Sequence, residues 1–526
     1  MTHEKPGYVS SYSKPKNTEI KHINGYWYLY AKSSVYDPET KKMRKKSGKC
    51  LGKITENGFV PSKEKLESIA LDEIEIKEAG LSGYIWGHNQ DMADRLKKHF
   101  PDIWMEIFVI AVLRFSFGPR FKRINENYET SILSEIYPNL KLEGSNISNL
   151  LKTIGRRTTA IKDFMHEDRD RLSAYLVFDG HRIISDSKTL ETAYKGYDSK
   201  MRYKTQVNLV YAFSISGTKC FPYYYKQFSG DVPDITAFKD IVEEAEIEKE
   251  NLTVLADKGF GSEDNFNLID ESGFMYIVPL KRDSVDSKEN APLSNSDYDD
   301  SFLYDSRPIL HKAVEKDGYT IHIFRDMDLY SEEMKDVTDR MDKKNNTITL
   351  LKEDEEDRIK KGKKRRLSDE MLNNLKPVSF KDSIPAENTM GTITLRTNNK
   401  NLNGPQTYNL YKRREGIEDF FKTYDNTLEC STSYMRNVYT EEAWLFLNHL
   451  SAIIGFEILD EIYALNMTRD ISLNDFKNTM SHLFANKIQG TWRMSKTTKK
   501  REDFAKSFGF ESVTVINEVN GKNPAV

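Results

Sequence analysis

The sequence predicts a mixed α/β fold, and three observations carry that prediction. Between residues 174 and 230, the stretches "AYLVFDGHRIIS", "TQVNLVYAFSI" and "CFPYYYKQFSG" follow one another with the composition of successive strands. The period then changes: "DITAFKDIVEEAEI" reads as helix, "LTVLADKGF" as strand, "SEDNFNLIDESG" as helix and "FMYIVPLK" as strand. The chain is also long enough, at 526 residues with 38% hydrophobic and 30% charged, to build several domains around a large core. Three meandering strands followed by alternating helix and strand make a mixed sheet. In such sheets ligand and metal chemistry gathers at strand ends.

Ahead of this region, "GYWYLYAKSSVYDPETKKMRKKSGKCLGKI" alternates aromatic with other residues and breaks at Asp37-Pro38. It resumes with Lys41, Lys42, Arg44, Lys45 and Lys46, which predicts a small antiparallel unit with one cationic strand. From about His88 to Met165 the periodicity is helical, with "DIWMEIFVIAVLRF" as a buried helix. "SNISNLLKTIGRRTTAIKDF" has a start signal at Ser145 and a break at Gly155. Two readings are open there: a helical hairpin, the commoner outcome of so weak a pattern, and a helix-turn-helix that would set Arg156 and Arg157 near phosphates. After Lys281 the texture becomes polar, with strand candidates at "YTIHIFRD" and "TITLRT". A segment of that length is too long for a connection and predicts an inserted module. Within it, "EDEEDRIKKGKKRR" pairs Glu356 with Lys360 and Asp357 with Lys361 at helical spacing, as expected of a solvated helix.

The three cysteines, Cys50, Cys220 and Cys430, have no paired spacing, which argues against a disulfide framework or a structural zinc site and for a reducing cytoplasm. The amino end holds no apolar block of signal-peptide length, and "WLFLNHLSAIIGFEIL" is interrupted by Asn448, His449, Ser451 and Gly455, so no membrane partner is expected. Net charge is −3, yet residues 1–53 hold twelve Lys or Arg against four acids, and Lys487–Lys506 hold seven against two. Cationic ends on a near-neutral chain suit a polyanion, and solvated basic tails are at least as frequent a reading of them. No glycine-rich phosphate loop and no His-Glu-x-x-His helix is present, so an ATP-driven motor and a zinc hydrolase lack support.

The chemistry-bearing residues are acids. Asp257 in "VLADKGFGSEDN" ends one apolar stretch and Asp179 sits in another, "YLVFDGHRI". A lone aspartate before a glycine usually marks a turn. Partner acids change that reading. In "YNLYKRREGIEDFFKTYDN", Tyr411, Arg414 and Glu418 fall at i, i+3 and i+7, on one helical face continued by Lys422. If the substrate is a phosphodiester, Asp179, Asp257 and Glu418 supply hard oxygen ligands for two Mg²⁺ (or Mn²⁺) ions, which activate the attacking oxygen and stabilise the leaving one. Arg414 can then hold a phosphate by two hydrogen bonds and Tyr411 by one. By itself the Arg414/Glu418 spacing equally describes a surface ion pair worth about 0.3–0.5 kcal/mol.

In these residues the chain resembles the DDE transposases of bacterial insertion sequences, in the group with a Y-(2)-R-(3)-E-(6)-K signature. Tyr411, Arg414 and Glu418 match its first three positions, "VLADKGFGSEDN" matches the block of the second aspartate, and "FSGDVPDITAF" resembles the segment before it. The likeness covers about 170–285 and 405–460. The resemblance implies a ribonuclease H-like mixed-sheet core interrupted by a β-rich insertion, with small β and helical DNA-binding regions in front. It also implies the catalytic and metal-binding roles of Asp179, Asp257 and Glu418. Implied too are DNA contacts from Tyr411, Arg414 and Lys422, and partners in the terminal inverted repeats, the target DNA and a second copy of the chain. Two departures stand out. The signature lysine is Asp425 here, with Lys422 within about 20° of the same face. All five tryptophans, Trp27, Trp86, Trp104, Trp444 and Trp492, lie outside the insertion, leaving Tyr304, Tyr319 and Phe324 as aromatic candidates there, though the commoner reading of each is a core residue.

The expected domains are a small basic β unit at 1–85, a helical, DNA-binding candidate at 86–168, a catalytic core at 169–282 and 405–470, an insertion at 283–404 and a basic helical end at 471–526. The expected function is Mg-dependent cleavage at transposon ends and strand transfer of the 3′-hydroxyl into target DNA, in a bacterial or archaeal cytoplasm at the nucleoid. The alternatives are a metal-dependent DNA nuclease that does not transpose and a catalytically silent DNA-binding derivative.

Overall fold

The computed structural model describes residues 5–522 except 38–41, 57, 63–73, 119, 198–202, 217–218, 233–239, 246, 248–251, 259–260, 363, 365, 380–389 and 468–469. Some side chains within strands and helices, those of Glu418 and Lys422 among them, also lie outside the described residues.

The chain opens with an antiparallel sheet of β1 (Thr18–Ile23), β2 (Tyr26–Asp37), β3 (Lys42–Thr55) and β4 (Gly58–Pro61), in that order. Asn24 and Gly25 make the first turn at φ of 49° and 80°, the Asn-Gly geometry that suits a tight hairpin. Trp27, Ile54 and Val9 form a small core of this sheet, distinct from the main one.

A short strand, β5 (Glu75–Glu78), leads into helices α1 (Leu81–His88), α2 (Gln90–His99), α3 (Trp104–Phe117), α4 (Ile124–Thr130), α5 (Gly144–Gly155) and α6 (Thr158–His166). The expected buried helix is α3, whose residues Ile107–Phe115 are all buried. Of the two open readings for α5 and α6, the structure shows two short helices joined at Arg156 and Arg157. Both nitrogens of the Arg157 fork bond Asp102, at 2.6 and 2.7 Å, and Arg156 lies over the Tyr439 ring.

Next come β6 (Tyr175–Ser185), β7 (Tyr194–Tyr197), β8 (Tyr203–Ser216), β9 (Lys219–Ser229), β10 (Thr253–Leu255), α7 (Glu263–Glu271) and β11 (Met275–Pro279). β6, β8 and β9 are the expected three strands, with the short β7 an addition to them, and strand, helix and strand follow as expected, though β10 stops two residues short of Asp257. Half of the helix expected at 234–247 lies outside the described residues, and residues 240–244 within it are helical. Beyond lie α8 (Val285–Asn290), β12 (Asp300–Tyr304), β13 (Arg307–Lys316), β14 (Tyr319–Asp326), α9 (Met327–Lys360), α10 (Asp369–Asn374) and β15 (Thr392–Thr397). One mixed sheet joins them in the order β12-β13-β14-β15-β11-β10-β6-β8, with β7 and β9 paired to β8 and a short β16 (Thr432–Ser433) to β6. β10 runs parallel to β6 and β11 parallel to β10, whereas β8 and β9 are antiparallel. The segment expected as β-rich therefore extends the central sheet, and it also holds a helix of 34 residues. That helix carries few apolar positions, so periodicity marks it poorly; the Asp357–Lys361 pair expected near its end is present at 2.8 Å.

Two long helices complete the layer: α11 (Gly404–Leu428) and α12 (Val438–Ala464). The remainder, expected as helical, contains α13 (Leu473–Met480), β17 (Phe484–Ile488), β18 (Thr491–Met494), α14 (Lys499–Ser507) and α15 (Ser512–Lys522). β17 pairs with both β18 and β5, so the two ends of the chain share a sheet.

α12 is buried along most of its length and packs on α3, α5 and β9. Its contact with α5 is close: a Cβ on Gly155 would stand 1.7 Å from the Tyr439 carbonyl oxygen. Gly155→Ala is therefore expected to separate the helices and lower the midpoint of denaturant unfolding, at a cost of about 1–3 kcal/mol. An unchanged midpoint would refute the close approach. α12 also buries Glu441, which accepts hydrogen bonds from Gln227 (2.9 Å) and Thr192 (3.2 Å). Burial raises this carboxyl from the usual 4.5 to about 7. The folded protein thus holds a proton that the unfolded chain releases. Its contribution to stability is complete below pH 4.5 and is lost as pH rises through about 7. Glu441→Gln is expected to flatten the fall in unfolding midpoint between pH 5 and 8, measured by thermal melts across that range.

Candidate active site

The two aspartates converge because of strand register. β6 and β10 pair in parallel with Tyr175 opposite Thr253, Leu176 opposite Val254 and Val177 opposite Leu255. Two further residues along each chain lie Asp179 and Asp257. Since side chains alternate between faces with a period of two, both aspartates are directed to one face. The residues before them, Leu176, Val177, Phe178, Val254, Leu255 and Ala256, are all buried, as befits central strands covered on both sides. Asp257 lies past the end of its strand, where its carboxylate accepts from the Lys258 backbone N–H.

α11 brings the third element. Asn403 caps it, accepting from the Gln406 N–H at 3.0 Å, while the Gln406 side chain accepts from the Asn403 N–H. Pro405 preorganises the first turn, and Glu429 ends the helix at a left-handed φ of 48°. Tyr408 is wholly buried against the rings of Phe302, Tyr304 and Phe324, which seats the helix on β12 and β14. Gly404 lets the helix start close over His311: a Cβ there would stand 2.3 Å from that ring.

Seated this way, α11 packs on β10 and points Arg414 at the acids. The guanidinium Nη2 is 3.8 Å from Asp179 Oδ1 and 4.0 Å from Asp257 Oδ1. At these lengths the contacts are ion pairs rather than hydrogen bonds. Arg414 is buried whereas the Asp257 side chain is 54% exposed, so solvent screens that arm more than the one to Asp179, and one guanidinium spans both carboxylates. It supplies the positive charge that two facing acids require. Glu418 follows one helical turn after Arg414, on the same face of α11; its side chain, like that of Lys422, lies outside the described residues.

Of the six residues expected at the site, the structure thus brings Asp179, Asp257 and Arg414 together. Tyr411 is half-buried and packs against the main core. Among the aromatic candidates, Phe324 is core, Tyr304 packs on Tyr408, and Tyr319 lies under the Arg396 guanidinium, 3.6 Å from its ring centre. Sequence reasoning missed Tyr408, which lies six residues before Arg414 and anchors its helix. The signal was the pair of rings one helical turn apart, Tyr408 and Tyr411.

The transposase DDE domain family matches residues 178–454, more than half of the chain and an interval that holds Asp179, Asp257, Arg414 and Glu418. The chain belongs to this transposase family. Members generally use divalent metal ions and act as nucleases and transesterases. No curated protein matches the chain significantly. Among solved structures, the cryo-electron microscopy structure of the piggyBac transposase synaptic complex with hairpin DNA overlaps 72% of this chain and 69% of that one, at 10% identity and a TM-score of 0.35. That score is too low to carry an argument.

Among the described residues no three metal-ligating side chains converge; the two that do face one cation, Asp179 and Asp257, are hard oxygen donors of the kind a divalent metal takes. Arg414→Ala would remove the guanidinium that faces both aspartates. The expected result is a loss of stability of about 1 kcal/mol, read as a lower thermal midpoint that millimolar Mg²⁺ or Mn²⁺ partly restores. A midpoint indifferent to both changes would mean that the acids do not converge.

Proposed function

We propose that the chain is a cut-and-paste DNA transposase that cleaves its element's ends and joins the released 3′-hydroxyl to target DNA. The observation that carries the reading is the single guanidinium facing both Asp179 and Asp257, inside the interval that matches the transposase family. We read the sheet as ribonuclease H-like, because the order β9-β8-β6-β10-β11 places three antiparallel strands beside two parallel ones. Asp179, Asp257 and Glu418 would hold two Mg²⁺ or Mn²⁺ ions. Those ions, when bound, supply Lewis-acid stabilisation of the attacking and leaving oxygens.

The chain's own residues do the rest. The fixed register of β6 and β10 holds the carboxylates preorganised, so little rearrangement accompanies reaction. Arg414, buried and fixed by α11, offers a forked donor to a phosphate oxygen arriving between the acids. Tyr411 lies one turn before Arg414 and Lys422 about two turns after it, along the line that a DNA strand lying on α11 would follow. Synapsis of two ends would require two copies of the chain.

The test is direct. Purified protein with Mg²⁺ and duplexes carrying the element's terminal repeats is expected to yield cleaved ends and strand-transfer products on denaturing gels. Asp179→Ala, Asp257→Ala and Glu418→Ala should each remove both products while end binding persists. Cleavage that survives all three substitutions would overturn the proposal.

A further inference from the structure

The carboxyl end of α12 carries charges that the proposed site leaves unexplained. Glu457, Asp460 and Glu461 stand at i, i+3 and i+4, so one helical face presents three carboxylates. They fall within the last eight residues of the helix, which include no lysine or arginine. Carboxylates there also meet the negative end of a 27-residue helix, where cations are the favoured charge. With Asp170, the three line a cavity of about 530 Å³, which Tyr84 and Phe221 line as well. The cavity lies by the start of β6, where Ser214 stands opposite Leu176. Asp179 is three residues further on, and Asp257 is past the far end of β10.

The protein's own cations answer these acids only in part. Arg171 is divided: it pairs with Glu457 at 3.1 Å and with Asp168 at 3.7 Å, while its guanidinium lies 3.8 Å from the centre of the Phe221 ring. Lys219 also lines the cavity and is exposed. The Glu461 carboxylate accepts from the Tyr84 hydroxyl, which brings no charge. One guanidinium and one ammonium group thus face four carboxylates. Burial raises the carboxyl of Glu457 and takes that of Asp460 to about 6, despite the neighbouring Arg171.

Asn89 points to the same kind of ligand independently. It lines the cavity and is 5% exposed. Its Nδ2 donates to the Ile85 carbonyl at 3.0 Å, which fixes the other terminal atom as oxygen. That Oδ1 is buried with no hydrogen-bond partner among the described residues, a costly state for an acceptor. Carboxylates and an amide oxygen together call for a cation that donates hydrogen bonds. A bare metal ion fits poorly, since no three metal-ligating side chains converge among the described residues. An elongated ammonium ion fits better. The acids are spread over about 6 Å of helix between Glu457 and Glu461, and Tyr84 and Phe221 suit a methylene chain between charges.

We infer that this cavity binds an aliphatic polyamine, whose ammonium groups pair with Asp460, Glu461 and the Glu457 carboxylate shared with Arg171, and donate to the Asn89 oxygen. The inference stands apart from the proposed function, since neither the two aspartates nor any residue of α11 lines the cavity.

Spermidine is titrated into the full chain, free of DNA, by isothermal titration calorimetry at fixed ionic strength, and one site per chain is expected. Asp460→Asn should weaken binding about fivefold, and Lys219→Gln, which removes a competing cation, should tighten it by a similar factor. Glu353→Gln/Asp354→Asn, in the exposed acidic run of α9, should leave the affinity unchanged. Should Asp460→Asn disturb folding by circular dichroism, the tightening by Lys219→Gln decides alone. Absence of binding overturns the inference. So does an affinity that falls with the α9 pair instead, or one that Lys219→Gln fails to raise. Magnesium chloride that binds the same site as tightly, at the same ionic strength, would also overturn it by making the cavity a metal site.

Discussion

The parallel pairing of β6 with β10 is the constraint on which the site depends. Asp179 and Asp257 are 78 positions apart in the chain and are neighbours only because Val177 stands opposite Leu255. A slip of one residue would turn one carboxylate to the other face of the sheet. Burial prevents it. Leu176, Val177, Phe178, Val254 and Leu255 are enclosed on both sides, so a shifted register would disturb a whole layer of packing.

Electrostatics then follow from placement. Two carboxylates directed to one face repel, and Arg414 answers with a single guanidinium spanning both. Its position is inherited from features far from the charge: the Asn403 cap, the ring seat of Tyr408 and the space above His311 left by Gly404. The helix is docked first by apolar contact, and its polar face is presented to the acids as a result.

Much of this was legible in the sequence, for reasons that can be named. β6, β8, β9 and β11 announce themselves by apolar runs, and the 411/414/418 spacing needs only helical geometry. The convergence of Asp179 and Asp257 was inferable as neighbouring strands, but their shared face depends on register, which no local pattern encodes. Arg414 was read as a phosphate ligand from its residue type; that it is buried against both aspartates depends on how α11 docks, and hence on Tyr408. The joining of β5 to β17 was invisible because strands of four and five residues at opposite ends of a chain carry almost no periodic signal. The long α9 was obscured by its own polarity, since only Val337, Ile348 and Glu355 along it are buried.

β15 has a wider consequence. It pairs with β14 on one side and β11 on the other, so the residues between the second and third acids are stitched into the central sheet rather than hung from it. Excising them would strip β11 of a neighbour and leave a bare row of amide and carbonyl groups beside the strands that lead to the two aspartates, an invitation to aggregation. Length can be gained or lost beyond β14, in the solvated stretch of α9 and α10, without unsealing that border. The polypeptide thus confines its freedom to grow to an outlying spur and keeps the wall next to the acids intact.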